Sequence, residues 1–539
     1  MSRFSAVGKS SRGAAPLPDL RSSVEIRAWL SDLPLADPVA AATRLHDLVS
    51  AIGTHKASAM TRLKLLELIS PTLDASLSTM QQTLVGAPVP LPSRLAEIAD
   101  FCLEVESGLA SAYAAVSAGW VSKGRIPWFR RKAGALALHR SAFYRGRALE
   151  TSWLSYRCPP EGVWRALHLD YAIAVSSGVA EASLKVVGNS SAHSIHEVWV
   201  RSVLMAAVDP NRHCQSELLA LAALFQAEMG RIEVAMSRSE GTQWCVRLTG
   251  DFQPIHCGDD PRKVGDLYLD IGKLVAWLQT LRGDRTVITR LGKPVVLTER
   301  NIQDVVTALS EPSERSFRRI NGGYTLYSVF GMRGIHYNVG NSMEFMSYLP
   351  SQVSVSSAPA PANWTTDRQS SDEVYHNPIV ARATTINQSR GGYRLLFEPR
   401  CGIRARVGEV MGLTLPYEDE ESPIWLVCCI RWVQCRDDGK LEIGVSLLAR
   451  QAEAIALAVA VPGNDGQMQR ALLLKDYRPD SDATHIAVEQ TNLRVGSKVE
   501  FLGMLPGARV PGVVEECVDR TDCFAVYAVR ELKARRHAA

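Results

Sequence analysis

The stretch that decides the reading is TTINQSRGGYRLLF, residues 384–397. An alternating run leads into it, with Ile379, Ala381, Ala383 and Thr385 two residues apart, the period of a strand with one buried face. The polar corner NQSRGG interrupts, and an apolar run leaves it. Asn and Ser cap their own backbone in turns and Gly391-Gly392 supply positive φ, so a plain turn accounts for the corner. A wall of a binding site accounts for it as well. Asn387-x-Ser389-x-x-Gly392 sets an amide, a hydroxyl and a residue without Cβ on one bend.

Outward from the corner the chain reads as β on both sides. GYTLYSVFG (323–331) alternates upstream, and WLVCCIRWVQCRDDGKLEIGVSLL (425–448) predicts a hairpin turned at Asp438-Gly439. The Ser/Pro-rich stretch 351–373 reads as a loop or insertion. After the Ala-rich segment 449–461 and a PGNDG linker, a second β region runs to about Arg530. RARVGEVMGLTL (404–415) and NLRVGSKVEFLG (492–503) share Arg-Val-Gly followed by an apolar strand. That echo fits two related small barrels in tandem, or two unrelated turns.

The first 235 or so residues are helical in pattern. In the segment from Ser93, residues Leu95, Ile98, Cys102, Val105 and Leu109 recur at spacings of three and four, one apolar helix face. ASAMTRLKLLELI (57–69) behaves alike, and the Ser70-Pro71 step is expected to end or kink it. QSELLALAALFQAEMG (215–230) is a third helix, finished by Gly230, and the Pro-containing joint 86–92 separates two of them. Residues 270–283 read as helix, and 285–298 as strand, turn and strand.

The net charge of +4 on 539 residues excludes a chain-wide nucleic-acid field. The eleven Cys form no paired CxxC set, and Cys428-Cys429 sit inside an apolar run as small hydrophobes, so zinc and disulfide frameworks are set aside. The N-terminal residues 1–22 read as a disordered tail without an apolar signal region, and no apolar run reaches spanning length. The expectation is a soluble, cytoplasmic protein.

Upstream of the corner, SERSFRRINGGYTLYSVF holds Arg315 and Arg319 as RxxxR, with Arg318 as a possible substitute. A basic pair, a strand, an NxSxxG corner, a strand and a closing hairpin resemble the PilZ domain, the bacterial receptor module for cyclic-di-GMP. The resemblance covers about residues 313–460. A helical half attached to such a barrel also resembles a group of bacterial PilZ proteins. It implies an antiparallel β-barrel and a ligand site at Arg315, Arg318, Arg319, Asn387, Ser389 and Gly392. Guanidinium forks suit phosphate oxygens and guanine O6/N7, Asn387 suits a guanine edge, and the Ser389 hydroxyl a base or phosphate. Asn387 stands where Asp is commoner in the family. Arg368 lies nearer the corner but is followed by Asp372 where a second Arg is needed.

Other features read as structural. The basic run 123–147, with eight Lys or Arg, is taken as a solvated helix face docking on an acidic patch of this chain or of a partner, rather than as a nucleic-acid or membrane contact. His193-x-x-His196-Glu197 lacks the HExxH order, and phosphate-loop, dinucleotide and nucleophile-elbow motifs are missing. No enzyme, cofactor or metal is expected.

The architecture expected is multidomain α+β. An N-terminal α-helical domain (23–240) is followed by a mixed connector (241–312), a PilZ-like antiparallel β-barrel (313–461, insertion at about 340–373) and a smaller C-terminal β domain (467–535). The resemblance implies a cyclic-di-GMP effector whose Arg segment closes over the ligand and reorients the helical half, which would hold an unidentified protein partner. The alternative is a scaffold that binds no nucleotide.

Overall fold

The computed structural model describes residues 17–532 apart from 186–190, 240–241, 258–264, 311–317, 349–377, 400, 417–422, 460–467, 478–482, 490–492 and 503–508. Helices come first: α1 (Ser23–Ser31), α2 (Pro38–Thr54), α3 (Ala59–Gln82), α4 (Ser93–Ala118), α5 (Arg131–Leu154), α6 (Val163–Ser176), α7 (Ile195–Ala207) and α8 (Gln215–Ala227). Their starts follow from capping chemistry. The Asp37 carboxylate accepts from the Val39 and Ala40 amides ahead of Pro38, and Ser194 and Glu197 close a capping box on α7. That box uses Glu197, and His196 meets the Tyr171 hydroxyl at 3.0 Å, so the HxxHE run is structural. Of the two outcomes expected at Ser70-Pro71, an end or a kink, the first is overturned. The helix does not end at Ser70-Pro71, because Leu66, Ile69, Leu73 and Leu77 are all buried in one core, and that packing carries α3 through the proline.

Helix α5 is the axis of this region. One core gathers α1–α4 on one side of it, and another gathers α6–α8 on the other. Nearly every residue from Gly134 onward is buried, so the charges on α5 must find partners inside the protein. Arg147 donates to Asp74 at 3.1 Å and lies 3.5 Å from Glu106, while Arg140 pairs with Glu67 at 3.0 Å. The expected docking on acidic groups of this chain is seen, but the solvation is corrected: the cations beyond residue 133 are buried or half-buried, and only 123–132 reach the surface.

Strands and helices alternate after the helical region. Strands Glu233–Ala235, Leu267–Asp270, Thr242–Val246 and Ile255–His256 lie side by side in that order. Helix α9 (Gly272–Thr280), an antiparallel hairpin of Arg285–Ile288 with Pro294–Leu297, and α10 (Glu299–Ser310) follow. All but the strand Ile255–His256, which packs on Cys245, Cys257 and Tyr268, join the second helical core. Arg290, at the hairpin turn, reaches into the helical region and donates to Glu150 at 2.6 Å.

Two barrels complete the chain, their strands numbered here β1–β13. The first uses β2 (Thr325–Phe330), β3 (Ala381–Ser389), β4 (Gly392–Phe397), β5 (Val410–Thr414), β6 (Leu426–Cys435) and β7 (Leu441–Ala449), with the short β1 (Ile320–Asn321) added on β3. Helix α11 (Gly331–Val339) follows β2 directly. The ring order is β2-β3-β4-β7-β6-β5, closed by β5 on β2. The second uses β8 (Gln451–Val459), β9 (Met468–Lys475), β10 (Thr484–Glu489), β11 (Lys498–Leu502), β12 (Arg509–Arg520) and β13 (Phe524–Glu531), in the order β8-β9-β10-β13-β12-β11. Strand for strand, the two topologies are the same. The Arg-Val-Gly echo falls at the same point in each, just before the fourth strand. Gly408 (φ 82°) and Gly496 (φ 87°) each donate at 2.8 Å to the fifth strand, at Ile430 and Val514, which return bonds to Glu409 and Ser497. Residues 451–459 are the first strand of the second barrel, so the divide falls at Arg450 rather than at the expected 461.

The helical region plugs one end of the first barrel. Val89 and Ala405 exchange two backbone hydrogen bonds, of 3.0 and 2.7 Å. Leu84, Ala87, Val89, Leu91 and Tyr156 share a buried cluster with Phe397, Ile403, Val433 and Leu441 of the barrel. The Pro-containing joint 86–92 is thus a stopper for the barrel, and it shares a buried apolar core with the barrel. Among the described residues, no helix is long and apolar enough to cross a membrane.

Burial lifts the Glu106 carboxyl to about 7, against the opposing pull of Arg147. A raised carboxyl favours folding while protonated, and that contribution is lost as pH rises through about 7. The melting temperature of wild type should therefore fall relative to that of Glu106→Gln between pH 5 and pH 8. Parallel profiles for the two proteins would contradict this.

Candidate functional site

The corner is the β3–β4 hairpin, closed by the pair Ser389–Gly392 around Arg390 and Gly391. Its chemistry depends on one irregularity. Ala381, Ala383 and Thr385 point into the barrel, and strict alternation would send residues 387 and 389 inward too. A β-bulge between Thr385 and Asn387 inserts Ile386 and reverses the phase. Asn387 now pairs with Arg394, while the inward-facing Thr385 pairs with Leu395. Asn387 and Ser389 therefore share the outer face of the barrel.

The bulged carbonyls are met by the segment that carries the arginines. Gly322 donates to Ile386 at 2.9 Å and Gly323 to Thr385 at 2.6 Å. A Cβ on Gly322 would lie 2.2 Å from the Thr385 oxygen, so only glycine fits. From there β1 runs antiparallel along β3, Asn321 beside Asn387 and Ile320 beside Gln388. The same register carried further sets Arg319 across from Ser389 and Arg318 across from Arg390. An open recess is lined by Arg318, Arg319, Ile320 and Asn321. Among the described residues, no side-chain hydrogen bond or ion pair holds Arg318 or Asn387. The Ser389 hydroxyl makes one long contact, 3.5 Å, to the Gly392 carbonyl.

Of the six residues expected at the site, the structure brings five together: Arg318, Arg319, Asn387, Ser389 and Gly392. Arg315 and the weighed alternative Arg368 lie outside the described residues. One assigned role changes. Gly392 does not lie in the left-handed region, so it is not there to bend the turn. A Cβ on it would stand 2.0 Å from the Val445 carbonyl oxygen, and the glycine lets β4 and β7 close beside the corner.

The outer face also holds residues that the sequence reading missed. Asn387, Arg394, Gly444 and Trp432 form one row across β3, β4, β7 and β6. The Trp432 indole lies flat on Gly444, where any Cβ would collide with it, and the Arg394 guanidinium stands 5.8 Å from its ring. Arg394 is already neutralised by the buried Glu442, at 2.6 Å. Next to Gly392, Ser446 accepts from Arg431 at 2.7 Å, and Arg431 also lies 3.9 Å from Asp519 of the second barrel. The register of the Asp438-Gly439 hairpin pairs Leu441 with Cys435 and runs unbroken to Trp432, which aims Trp432 outward.

The arrangement offers guanidiniums, an amide, a hydroxyl and an aromatic face on one open surface, the donor set of an anionic purine ligand. Among the described residues, one group has metal-ligand character: Cys214, Glu217 and Asp522. Glu217 there completes the α8 capping box and accepts from Asn301 at 2.8 Å, which accounts for it as an interface.

Residues 24–238 match the family model described as the N-terminal domain of the cyclic-di-GMP receptor FimW, and residues 350–454 match that of its middle PilZ domain. A protein named cyclic-di-GMP receptor FimW from Pseudomonas aeruginosa is 21% identical over 532 residues, covering 88% of this chain and 85% of that protein. No solved structure matches.

Because the Gly392 Cβ would strike backbone, Gly392→Ala should cost about 1–3 kcal/mol of stability by overpacking. The outward Ser389→Ala should stay within about 0.5 kcal/mol of wild type. Chemical denaturation of the two variants checks the contrast, and equal losses would contradict it.

Proposed function

The chain is a PilZ-domain protein of the cyclic-di-GMP receptor family with a long N-terminal helical region, and from that premise we propose that it binds cyclic-di-GMP on the outer face of the first barrel. Arg318 and Arg319, joined by Arg315, clasp the phosphates and a guanine O6/N7 edge. Asn387 and Ser389 read a base from the corner, Gly392 keeps the strands beneath them closed, and Trp432 offers a face for stacking. The observation that carries this reading is β1 seated on β3, which sets the arginine segment beside the corner.

The arginines follow α10, which ends at Ser310, closely in sequence. Helix α10 belongs to the helical core through Ile302, Val305 and Leu309. The barrel and helices share a core, so swinging the helical half as a body would expose buried apolar surface. The output is accordingly a population shift at α10 and the surface around it, where a protein partner docks on the helical region. The reading assigns the protein a receptor's role rather than catalysis.

Isothermal titration of the purified chain with cyclic-di-GMP tests the proposal. Wild type should bind in the micromolar range. Arg318→Ala/Arg319→Ala and Ser389→Ala should each weaken binding, the former by about 100-fold or more, since each charged hydrogen bond contributes about 1.5–3 kcal/mol and at least two are lost. No heat with wild type would favour the scaffold that binds no nucleotide. Undiminished binding by the arginine variant would remove the clasp from the account.

A further inference from the structure

The surface part of the basic run, KGRIPWFRRK (123–132), is built to present two bare aromatic rings. Trp128 is 80% exposed and Phe129 65% exposed, and they meet edge to face with centroids 6.0 Å apart. Exposed rings of this size are costly to leave in water, and a loop that merely connected α4 to α5 would not keep two of them there.

The loop under them is anchored. Ser122 and Arg125 pair across a tight turn, with Lys123 at φ 50° and Gly124 at φ 74°. Ile126 is buried, its amide donates to Ser177 at 2.9 Å, and its side chain packs so closely on Gly134 that a Cβ there would lie 2.5 Å away. The Ser176 hydroxyl holds the Gly124 carbonyl at 2.7 Å. Ile126 inside and Trp128-Phe129 outside thus stand on opposite sides of a braced turn, and the rings project as a fixed tip.

Around the tip the charge has one sign. Lys123, Arg125, Arg131 and Lys132 are exposed and Arg130 is half-buried, its guanidinium 5.9 Å from the rings of both Trp120 and Phe129. Between Glu106 and Glu150 the sequence has no acidic residue. Among the described residues, none of these five cations has an ion pair. An acidic protein surface would take the cations but leave the rings unexplained. Single-stranded nucleic acid asks for stacking platforms along a groove, whereas these rings stand edge to face on a projection. An anionic bilayer surface takes both. Trp and Phe settle at the headgroup level while Lys and Arg meet the lipid phosphates.

We propose that the 123–132 tip is a peripheral membrane contact that seats Trp128 and Phe129 in the interface of an anionic lipid surface. It uses none of the residues of the cyclic-di-GMP site, and it lies on the helical region, at the start of α5.

The test is co-sedimentation of the full chain with vesicles of phosphatidylcholine alone and of phosphatidylcholine mixed with phosphatidylglycerol. Wild type should partition onto the anionic vesicles and not the neutral ones, and salt should reverse this. Each cation near the surface contributes about fivefold in partitioning, so Arg130→Gln/Arg131→Gln/Lys132→Gln should lose roughly 100-fold. Trp128→Ala/Phe129→Ala should lose at least about tenfold while melting like wild type, because both side chains are exposed. Brominated lipid should quench wild type more than Trp128→Phe. The proposal is overturned by no partitioning of wild type at low salt, by both variants sedimenting as wild type does, or by a single-stranded oligonucleotide that binds the tip in place of lipid.

Discussion

Two amide hydrogen bonds, from Gly322 and Gly323 to the carbonyls of Ile386 and Thr385, are the contact on which the ligand face depends. They satisfy the backbone exposed by the bulge, and the bulge in turn faces Asn387 and Ser389 outward. They also seat β1, which carries the arginines to the corner. Without them the β3–β4 hairpin would still form, but its polar residues and its cations would occupy separate parts of the surface. A side chain on Gly322 is incompatible with this join, so a residue with no functional group of its own decides where the functional groups meet.

The rest of the molecule fixes the barrel around that join. One end is stoppered by the α3–α4 joint and Tyr156. One outer face, through Val410, Val427 and Cys429, is covered by Leu472, Leu474, Phe524 and Val526 of the second barrel. The second barrel repeats the first strand for strand, including the glycine hydrogen bond ahead of its fourth strand. It contributes Asp519, which contacts Arg431 beside the corner and also Arg300 on α10. Barrel, connector and second barrel thus converge on the edge of the proposed site, a compact route from ligand to the helical region.

Much of this was legible in the sequence. The long helices follow from apolar spacing, the β6–β7 hairpin from Asp438-Gly439, and the five corner and arginine positions from their order along the chain. Three things were not. Pro71 reads as a helix end because local propensity carries no information about the core that Leu73 and Leu77 enter. The joint 86–92 reads as a spacer because nothing in its composition shows that Val89 pairs with Ala405, more than three hundred residues away in the chain. The bulge at Ile386 is silent as well. Alternation alone points Asn387 and Ser389 into the barrel, and only the pairing with β1 and β4 shows the reversal. The Arg-Val-Gly echo was visible but ambiguous until both copies proved to occupy the same place in the same topology.

Hydrogen–deuterium exchange with and without cyclic-di-GMP addresses the join itself. The account requires amides of two segments far apart in sequence, 318–323 and 386–393, to gain protection together when ligand is added, while the plugged end around Val89 and Ala405 stays unchanged. Protection confined to the second barrel or the helical region, or gained by the corner with the arginine segment still exchanging freely, would contradict it.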